Sequence, residues 1–249
     1  MGALAFAVFA AALAGFSRGF AAFGAAMVFV PLVTVAYDAK TAVVTLFLVD
    51  LLPSIPLVWR AAARCDRETV FFMSLGAIGG SPIGVMVLVA IDQATARLIV
   101  GSLLLAATSY MLLGGELRVS GSREQSAAAG IAAGFAGGIC GIFGPLAIIY
   151  LIGRSADART TRADAIVFVT GESLILGATY ALYGLVTLPR VQLAAILAPV
   201  YAAFIWLGAK GFSGIGETRY RRAILILLCG VSALIVGQTV ISLLSRPVP

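Results

Sequence analysis

Apolar stretches of roughly 17 to 22 residues, about the length a helix needs to span a bilayer core, recur along the chain and are separated by short loops that carry most of its charge. The pattern predicts an all-α polytopic membrane protein with segments at 2–36, 41–59, 70–91, 95–114, 126–152, 163–184, 191–209 and 223–244. No polar block between them is large enough for a separate extramembrane domain. Two segments are anomalous. The apolar run from Gly2 to Ala36 is too long for one ordinary crossing. Gly15-Phe16-Ser17-Arg18-Gly19 lies near its middle, so two half-helices are expected around a break at that cluster.

Shifting the chain by 119 residues places Gly134-Phe135-Ala136-Gly137-Gly138 on Gly15-Phe16-Ser17-Arg18-Gly19 and Arg159-Thr160 on Lys40-Thr41. The match implies two four-segment repeats, 1–115 and 126–249, joined by a linker loop at 116–125. Each repeat opens with a broken helix that either crosses fully or re-enters. In the second, the interruption runs from Gly138 to Leu146 and includes Gly141, Gly144 and Pro145. An unwound helix in a bilayer frees backbone donors and acceptors that must line a cavity or meet other protein groups. Paired interruptions at matching positions therefore point to a transporter's binding site.

Composition narrows the class. The chain is 61% hydrophobic and 11% charged, with mean hydropathy +1.07, against about 25% charged for a soluble domain. Its first 17 residues carry no charged side chain and run into more apolar sequence, unlike a cleavable signal peptide. The N-terminus is expected to remain in the mature protein. The net charge of +6 is spread over short loops and forms no stripe that would suit nucleic acid. Cys65, Cys140 and Cys229 have no ligand spacing and read as free thiols. With no histidine in the chain, imidazole-based zinc sites and proton relays are excluded, and neither a cofactor nor a metal is expected.

The basic residues also bear on topology. Eight full crossings would divide the loop charges nine against seven, almost without bias. If the broken segments re-enter, the loops at 60–67, 118–123, 154–162 and 210–222 share one side and carry twelve, against four on the other. The second division obeys the positive-inside rule, puts those loops in the cytoplasm and both termini in the periplasm. Three true crossings per half then make the repeats inverted, with their breaks approaching the midplane from opposite faces. Trp59 beside Arg60, and Trp206 near Lys210, suit interfacial anchoring. The run Gly216 to Arg222 suits a cytoplasmic loop that attracts anionic lipid headgroups.

Candidate chemistry concentrates at the breaks. A guanidinium inside an apolar run costs at least about 2.5 to 3.5 kcal/mol unless it faces a cavity or partner. Half-helices that begin after each break offer positive dipole ends and free N–H groups. Together these predict a small anionic substrate held by Ser17, Arg18, Gly19, Gly24, Gly138, Gly141, Gly144 and Pro145. The same G-x-S-x-G spacing has the form of a hydrolase nucleophile elbow. Without histidine, a base for Ser17 would have to be Lys40 or Lys210. Alternatively, Gly15, Gly19 and Gly24 serve only close helix packing.

"GFSRGFAAFGAAMVFVP" and "GFAGGICGIFGPLAIIYL", with "SLGAIGGSPIGVMVL", "RLIVGSLLLA" and "WLGAKGFSGIGETRYRRAILILLCGVSALI", resemble the sulfite exporter TauE/SafE family in order and spacing over essentially the full chain. The resemblance implies a secondary transporter that exports small sulfur-containing or organic anions, such as sulfite, sulfoacetate or other sulfonates, across the bacterial inner membrane. It also implies that the protein is not an enzyme. The family's glycine cluster is reduced to Gly24-Ala25-Ala26 in the first half and interrupted by Phe143 in the second, which favours a ligand with an apolar part.

Asp50 and Glu172 fall at similar depth in the two halves and are proton-coupling candidates, with pairing to Arg18 as the alternative role for one of them. Pro82 and Pro199 are gating candidates, or static kinks. Ser17, Ser81, Thr170, Ser173 and Tyr201 can donate to an anion, although membrane hydroxyls usually bond back to their own helix. Phe16, Phe20 and Phe23 form one apolar face. No nucleotide-binding motif accompanies these residues, so the drive would be the substrate gradient or ion coupling. Membrane lipids are further expected partners, a second copy of the chain is a candidate one, and nucleic acid is not. An intramembrane serine hydrolase and a passive anion channel are the competing readings.

Overall fold

A computed structural model of the chain describes residues 2–21, 24–33, 36–90, 93–113, 119–141, 143–154, 157–212 and 217–244. Arg246, Arg118 and Phe23, and parts of the expected linker loop and of the Gly216 to Arg222 run, lie outside them. The described residues are helical, with no strand: α1 Gly2–Ala21, α2 Ala25–Val33, α3 Ala39–Ala61, α4 Arg67–Ala90, α5 Gln93–Leu112, α6 Arg123–Cys140, α7 Gly144–Arg154, α8 Ala158–Leu182, α9 Leu188–Phe212 and α10 Glu217–Leu244. Among them, α1, α3, α4, α8 and α9 are long and apolar enough to cross a membrane. The chain is a multi-pass membrane protein.

Helix starts follow local chemistry. Asp38 caps α3 by accepting from the Thr41 N–H at 2.8 Å and the Thr41 hydroxyl at 2.5 Å. Asp157 caps α8 in the same manner through the N–H groups of Arg159 and Thr160. Several boundaries recur at one offset. α1 ends at Ala21 and α6 at Cys140, α2 starts at Ala25 and α7 at Gly144, and α3 starts at Ala39 and α8 at Ala158, each pair 119 positions apart.

Two expectations change: the second interruption is shorter than Gly138 to Leu146, because α6 continues to Cys140 and α7 starts at Gly144, and the first lies elsewhere. The first interruption is not at Gly15 to Gly19: α1 runs unbroken through that cluster, and the break falls between Ala21 and Ala25, where Gly24 has φ 89°. The physical reason is packing. A Cβ on Gly15 would lie 2.5 Å from the Tyr201 carbonyl oxygen, and one on Gly19 would collide with the Ile205 carbonyl. Gly208 of α9 answers by facing the Phe16 carbonyl. The glycines hold α1 and α9 backbone to backbone without breaking the helix, as small residues do in membrane interfaces. Gly134 and Gly138 of α6 do the same against Ala77, Ser81 and Val85 of α4.

These contacts also fix helix directions. Positions 15 and 19 of α1 meet 201 and 205 of α9, so the two run parallel. α3 runs parallel to α9, because Thr41 meets Arg190 and Asp50 meets Tyr201. α1 and α3 therefore point the same way, and α2 turns back between them against α1. The Asp66 N–H donates to Asp164 Oδ1 at 2.7 Å, which brings the far end of α3 to the beginning of α8. The Arg190 contacts with Thr41 and Leu185 bring the beginning of α3 to the far end of α8. α3 and α8 are antiparallel.

Candidate functional site

The two interruptions meet at one cavity. It holds about 600 Å³ of empty space, part of it continuous with the outside. Gly24, Ala25, Ala26 and Met27 line it from the first break, and Gly141, Phe143, Gly144 and Pro145 from the second. α2 and α7 thus begin at its wall. The first N–H groups of a helix have no intrahelical partner, so both first turns present donors and a positive dipole end there. Pro145, having no N–H, fits the first turn of α7 without losing a helix bond. Gly141 makes the turn out of α6 in the left-handed region (φ 70°), with its N–H donating to the Gly137 carbonyl at 2.7 Å. Most of the remaining wall is apolar, including Val30, Leu46, Phe47 and Leu176.

Arg18 and Asp50 supply the charge at this wall. Arg18 is 1% exposed. Its Nε donates to Asp50 Oδ1 at 3.1 Å, and its terminal nitrogen donates to Thr170 Oγ1 at 2.7 Å and Ser54 Oγ at 3.4 Å. Asp50 Oδ1 also accepts from the Tyr201 hydroxyl at 2.6 Å and the Ser54 hydroxyl at 3.1 Å. Arg18 is therefore one half of a buried ion pair that, with its hydroxyl partners, ties α1, α3, α8 and α9 together.

The other expected residues divide. Arg18, Gly24, Gly141, Gly144, Pro145 and Asp50 line the cavity, whereas Ser17, Gly19 and Gly138 do not. Ser17 lies within α1 just behind Gly24, where a Cβ would fall 2.9 Å from its hydroxyl. That helical setting lacks the sharp strand-to-helix turn of a nucleophile elbow. Glu172 is fully buried outside the cavity, with Ser81 Oγ 2.6 Å from its Oε1. Ser173 bonds back to the Val169 carbonyl at 2.9 Å. Pro82 and Pro199 sit inside α4 and α9, which continue through them. Phe16 and Phe20 stack at 6.1 Å, and Lys210 Nζ stands 3.5 Å over the Trp206 ring. Cys65 and Cys229 are free thiols.

The family model described as Sulfite exporter TauE/SafE matches residues 7–235 of the chain. The chain belongs to the TauE/SafE family. Comparison with curated proteins and with solved structures returned no match.

In this TauE/SafE protein two further polar features escaped the sequence reading. Arg162 of α8 donates to the carbonyls of Gly19 and Phe20, meeting the last turn of α1 where carbonyls lack helical donors. At the corner between α3 and α4, Arg154 bonds Asp66, whose carboxylate also accepts from the Thr69 N–H at 3.3 Å. Burial acts to raise the Asp66 carboxyl, but the Thr69 N–H and the Arg154 guanidinium outweigh it and hold it below its ordinary 3.8. Both features join positions far apart in sequence, and loop spacing carries no signal for them.

Proposed function

We propose that this protein is a secondary transporter that exports small sulfur-containing or organic anions, sulfite, sulfoacetate or other sulfonates, across the bacterial inner membrane. One observation carries the reading: both chain interruptions, with the N-terminal turns of α2 and α7, converge on a single cavity that also contains Arg18. An anion there would take hydrogen bonds from first-turn amides, and the apolar wall would accept its carbon portion. Because Arg18 is already balanced by Asp50, the amides and dipole ends carry more of the recognition than a free guanidinium would. Ser17, Gly19 and Gly138 act behind this wall, as packing and backing residues of the site.

The repeat reading has independent support. Helix boundaries recur at an offset of 119, and equivalent helices α3 and α8 run antiparallel. The parallel pair α1 with α9 has its counterpart in α6 with α4. We take the chain as two inverted repeats, 1–115 and 126–249, joined at 116–125, each with a re-entrant first hairpin and three crossings. Both termini are then periplasmic. One repeat rocks against the other to expose the cavity alternately, with Pro82 and Pro199 in the moving helices and Glu172 or Asp50 exchanging a coupling proton.

The test is flux into liposomes under an imposed pH gradient, with sulfite, sulfate, sulfoacetate and a larger sulfonate compared side by side. Saturable flux of one of the sulfur anions, accelerated by the gradient, is expected. No flux for any anion overturns the reading. Flux that fails to saturate and ignores the gradient replaces it with a passive channel.

A further inference from the structure

Glu172 has no exposed surface, and its Oε2 is buried without a hydrogen-bond partner among the described residues. Its Oε1 is 2.6 Å from Ser81 Oγ, and the same hydroxyl is 2.7 Å from the Ala77 carbonyl. A serine hydroxyl has one proton, so it can donate to only one of these acceptors at a time. Both short contacts are satisfied together only when the carboxyl itself carries a proton. The Glu172 hydroxyl then donates to Ser81 Oγ, and Ser81 donates to Ala77. If the carboxyl ionises, Ser81 turns its proton to Oε1 without moving a heavy atom, and the Ala77 carbonyl keeps its place in the helix.

A side chain that lines the cavity, Phe143, lies near this carboxyl beside Gly137. α6 presents Gly137, where a Cβ would stand 3.4 Å from Glu172 Oε1 and 3.0 Å from Phe143 Cβ. Phe143 lines the cavity, as do Val169 and Ser173 on either side of Glu172 in sequence, whereas Glu172 does not. Phe143 also belongs to the interruption after the left-handed Gly141 and precedes the first turn of α7. Its side chain packs against buried apolar residues of the core.

Among the described residues, the charged groups of the neighbouring elements leave Glu172 without an ion-pair partner. Arg67 and Glu68 stand at the start of α4, Arg123 and Glu124 at the start of α6. Asp164, on α8 itself, lies about two turns away. Asp50 of α3 is held by Arg18, Ser54 and Tyr201. At the 119-residue offset Arg18 corresponds to Gly137, so the acid in the second half faces a glycine where that in the first half faces a guanidinium.

We propose that Glu172 is the group that exchanges the coupling proton, and that the Phe143 ring is the gate between it and the anion cavity. The proposal rests on the transporter reading and assigns Asp50 instead to fixed charge balance. When the ring swings aside, the proton on Glu172 passes to water or to a basic anion in the cavity, and the resulting carboxylate accepts from Ser81. Reprotonation reverses the step, and closure of the ring seals the carboxyl again.

Infrared spectroscopy of the purified protein in lipid tests this without any substrate. A protonated-carboxyl C=O band present in the native protein should vanish in Glu172→Gln. Its shift on transfer to deuterated water should be about tenfold faster in Phe143→Ala, because exchange follows the opening equilibrium. Phe143→Leu, which keeps an apolar plug, controls for loss of fold and should exchange at a rate between the two. Absence of a Glu172-dependent band, or equal exchange in Phe143→Ala and the native protein, overturns the proposal. If the band behaves as expected while no anion moves in liposomes, the transporter reading fails and takes the coupling role with it, while a protonated carboxyl gated by Phe143 remains.

Discussion

Arg18 and Asp50 meet inside the helix bundle although 32 residues separate them: Arg18 Nε donates to Asp50 Oδ1 at 3.1 Å, with the two side chains 1% and 7% exposed. Each makes the burial of the other tolerable. A buried pair need not outperform an apolar one, but removing a single partner strands the other charge at a cost of about 3 to 5 kcal/mol. Arg18→Ala should therefore lower thermal stability in detergent sharply. The double variant Arg18→Met/Asp50→Leu should recover much of the loss. Equal melting temperatures for Arg18→Ala and the native protein would refute the pairing as a structural element.

The α1–α9 seam makes a second prediction. Gly19→Ala pushes a methyl group into the Ile205 carbonyl, and the same change at Gly15 meets the Tyr201 carbonyl. Overpacking of this kind costs about 1 to 3 kcal/mol. Gly79, also helical, has nothing within 4 Å of a Cβ. Gly79→Ala should be neutral or stabilising by about 0.5 to 1 kcal/mol. Differential scanning fluorimetry on the three variants checks the order, which reverses if the glycines only mark flexibility.

Asp66 sets a pH dependence outside the spans. Its folded carboxyl titrates below the ordinary 3.8 because the Thr69 N–H and the Arg154 guanidinium outweigh the effect of burial. A depressed carboxyl contributes stability fully present above its unfolded value and lost as pH falls through the folded one. The native protein should be more stable than Asp66→Asn at neutral pH, with the gap closing below about pH 3.8. A melting-temperature difference constant from neutral to acid pH would contradict the assignment.

Topology gives a prediction read by chemistry at the two membrane faces. Ser120 and Thr187 both lie in exposed loops, and in the inverted arrangement these loops are on opposite sides. In a Cys65→Ala background, Ser120→Cys should react with an impermeant maleimide only after the inner face is exposed. Thr187→Cys should react in intact cells whose outer membrane has been permeabilised. Labelling of both from the same side would remove the inverted arrangement.

How far the sequence carried these features depends on the range of the interactions. Apolar length marked the long spanning helices, because crossing a bilayer constrains composition locally. The second interruption was legible in Gly141, Gly144 and Pro145, residues with strong local backbone preferences. The first was misplaced because Gly15 and Gly19 have two uses, unwinding and close approach, and only the position of α9 distinguishes them. Arg18 announced itself by cost. Its partner was one of two acids, and nothing near Asp50 in sequence reveals the converging Tyr201 hydroxyl, 151 residues away. The Arg162 cap on α1 likewise depends on a register between α1 and α8 that neither helix encodes alone.

The two left-handed glycines that line the cavity, Gly24 and Gly141, separate backbone strain from crowding. Gly141, at φ 70°, would place a Cβ in ordinary contact with Val43, at 3.4 Å, so alanine there pays mainly for conformation. That cost is roughly 1 to 2 kcal/mol. Gly24, at φ 89°, would also press a Cβ to 2.9 Å from the Ser17 hydroxyl. Gly24→Ala should therefore lose more stability than Gly141→Ala, and Gly141→Asn should lose least, since asparagine tolerates the left-handed region. Because α2 and α7 begin directly after these turns, a shifted turn re-aims the first-turn amides. Both alanine variants should weaken anion-dependent thermal stabilisation by more than their loss of stability alone would give, while Gly79→Ala leaves it intact. Undiminished stabilisation by sulfite or sulfoacetate in folded Gly24→Ala and Gly141→Ala would mean that the interrupted backbone does not hold the anion.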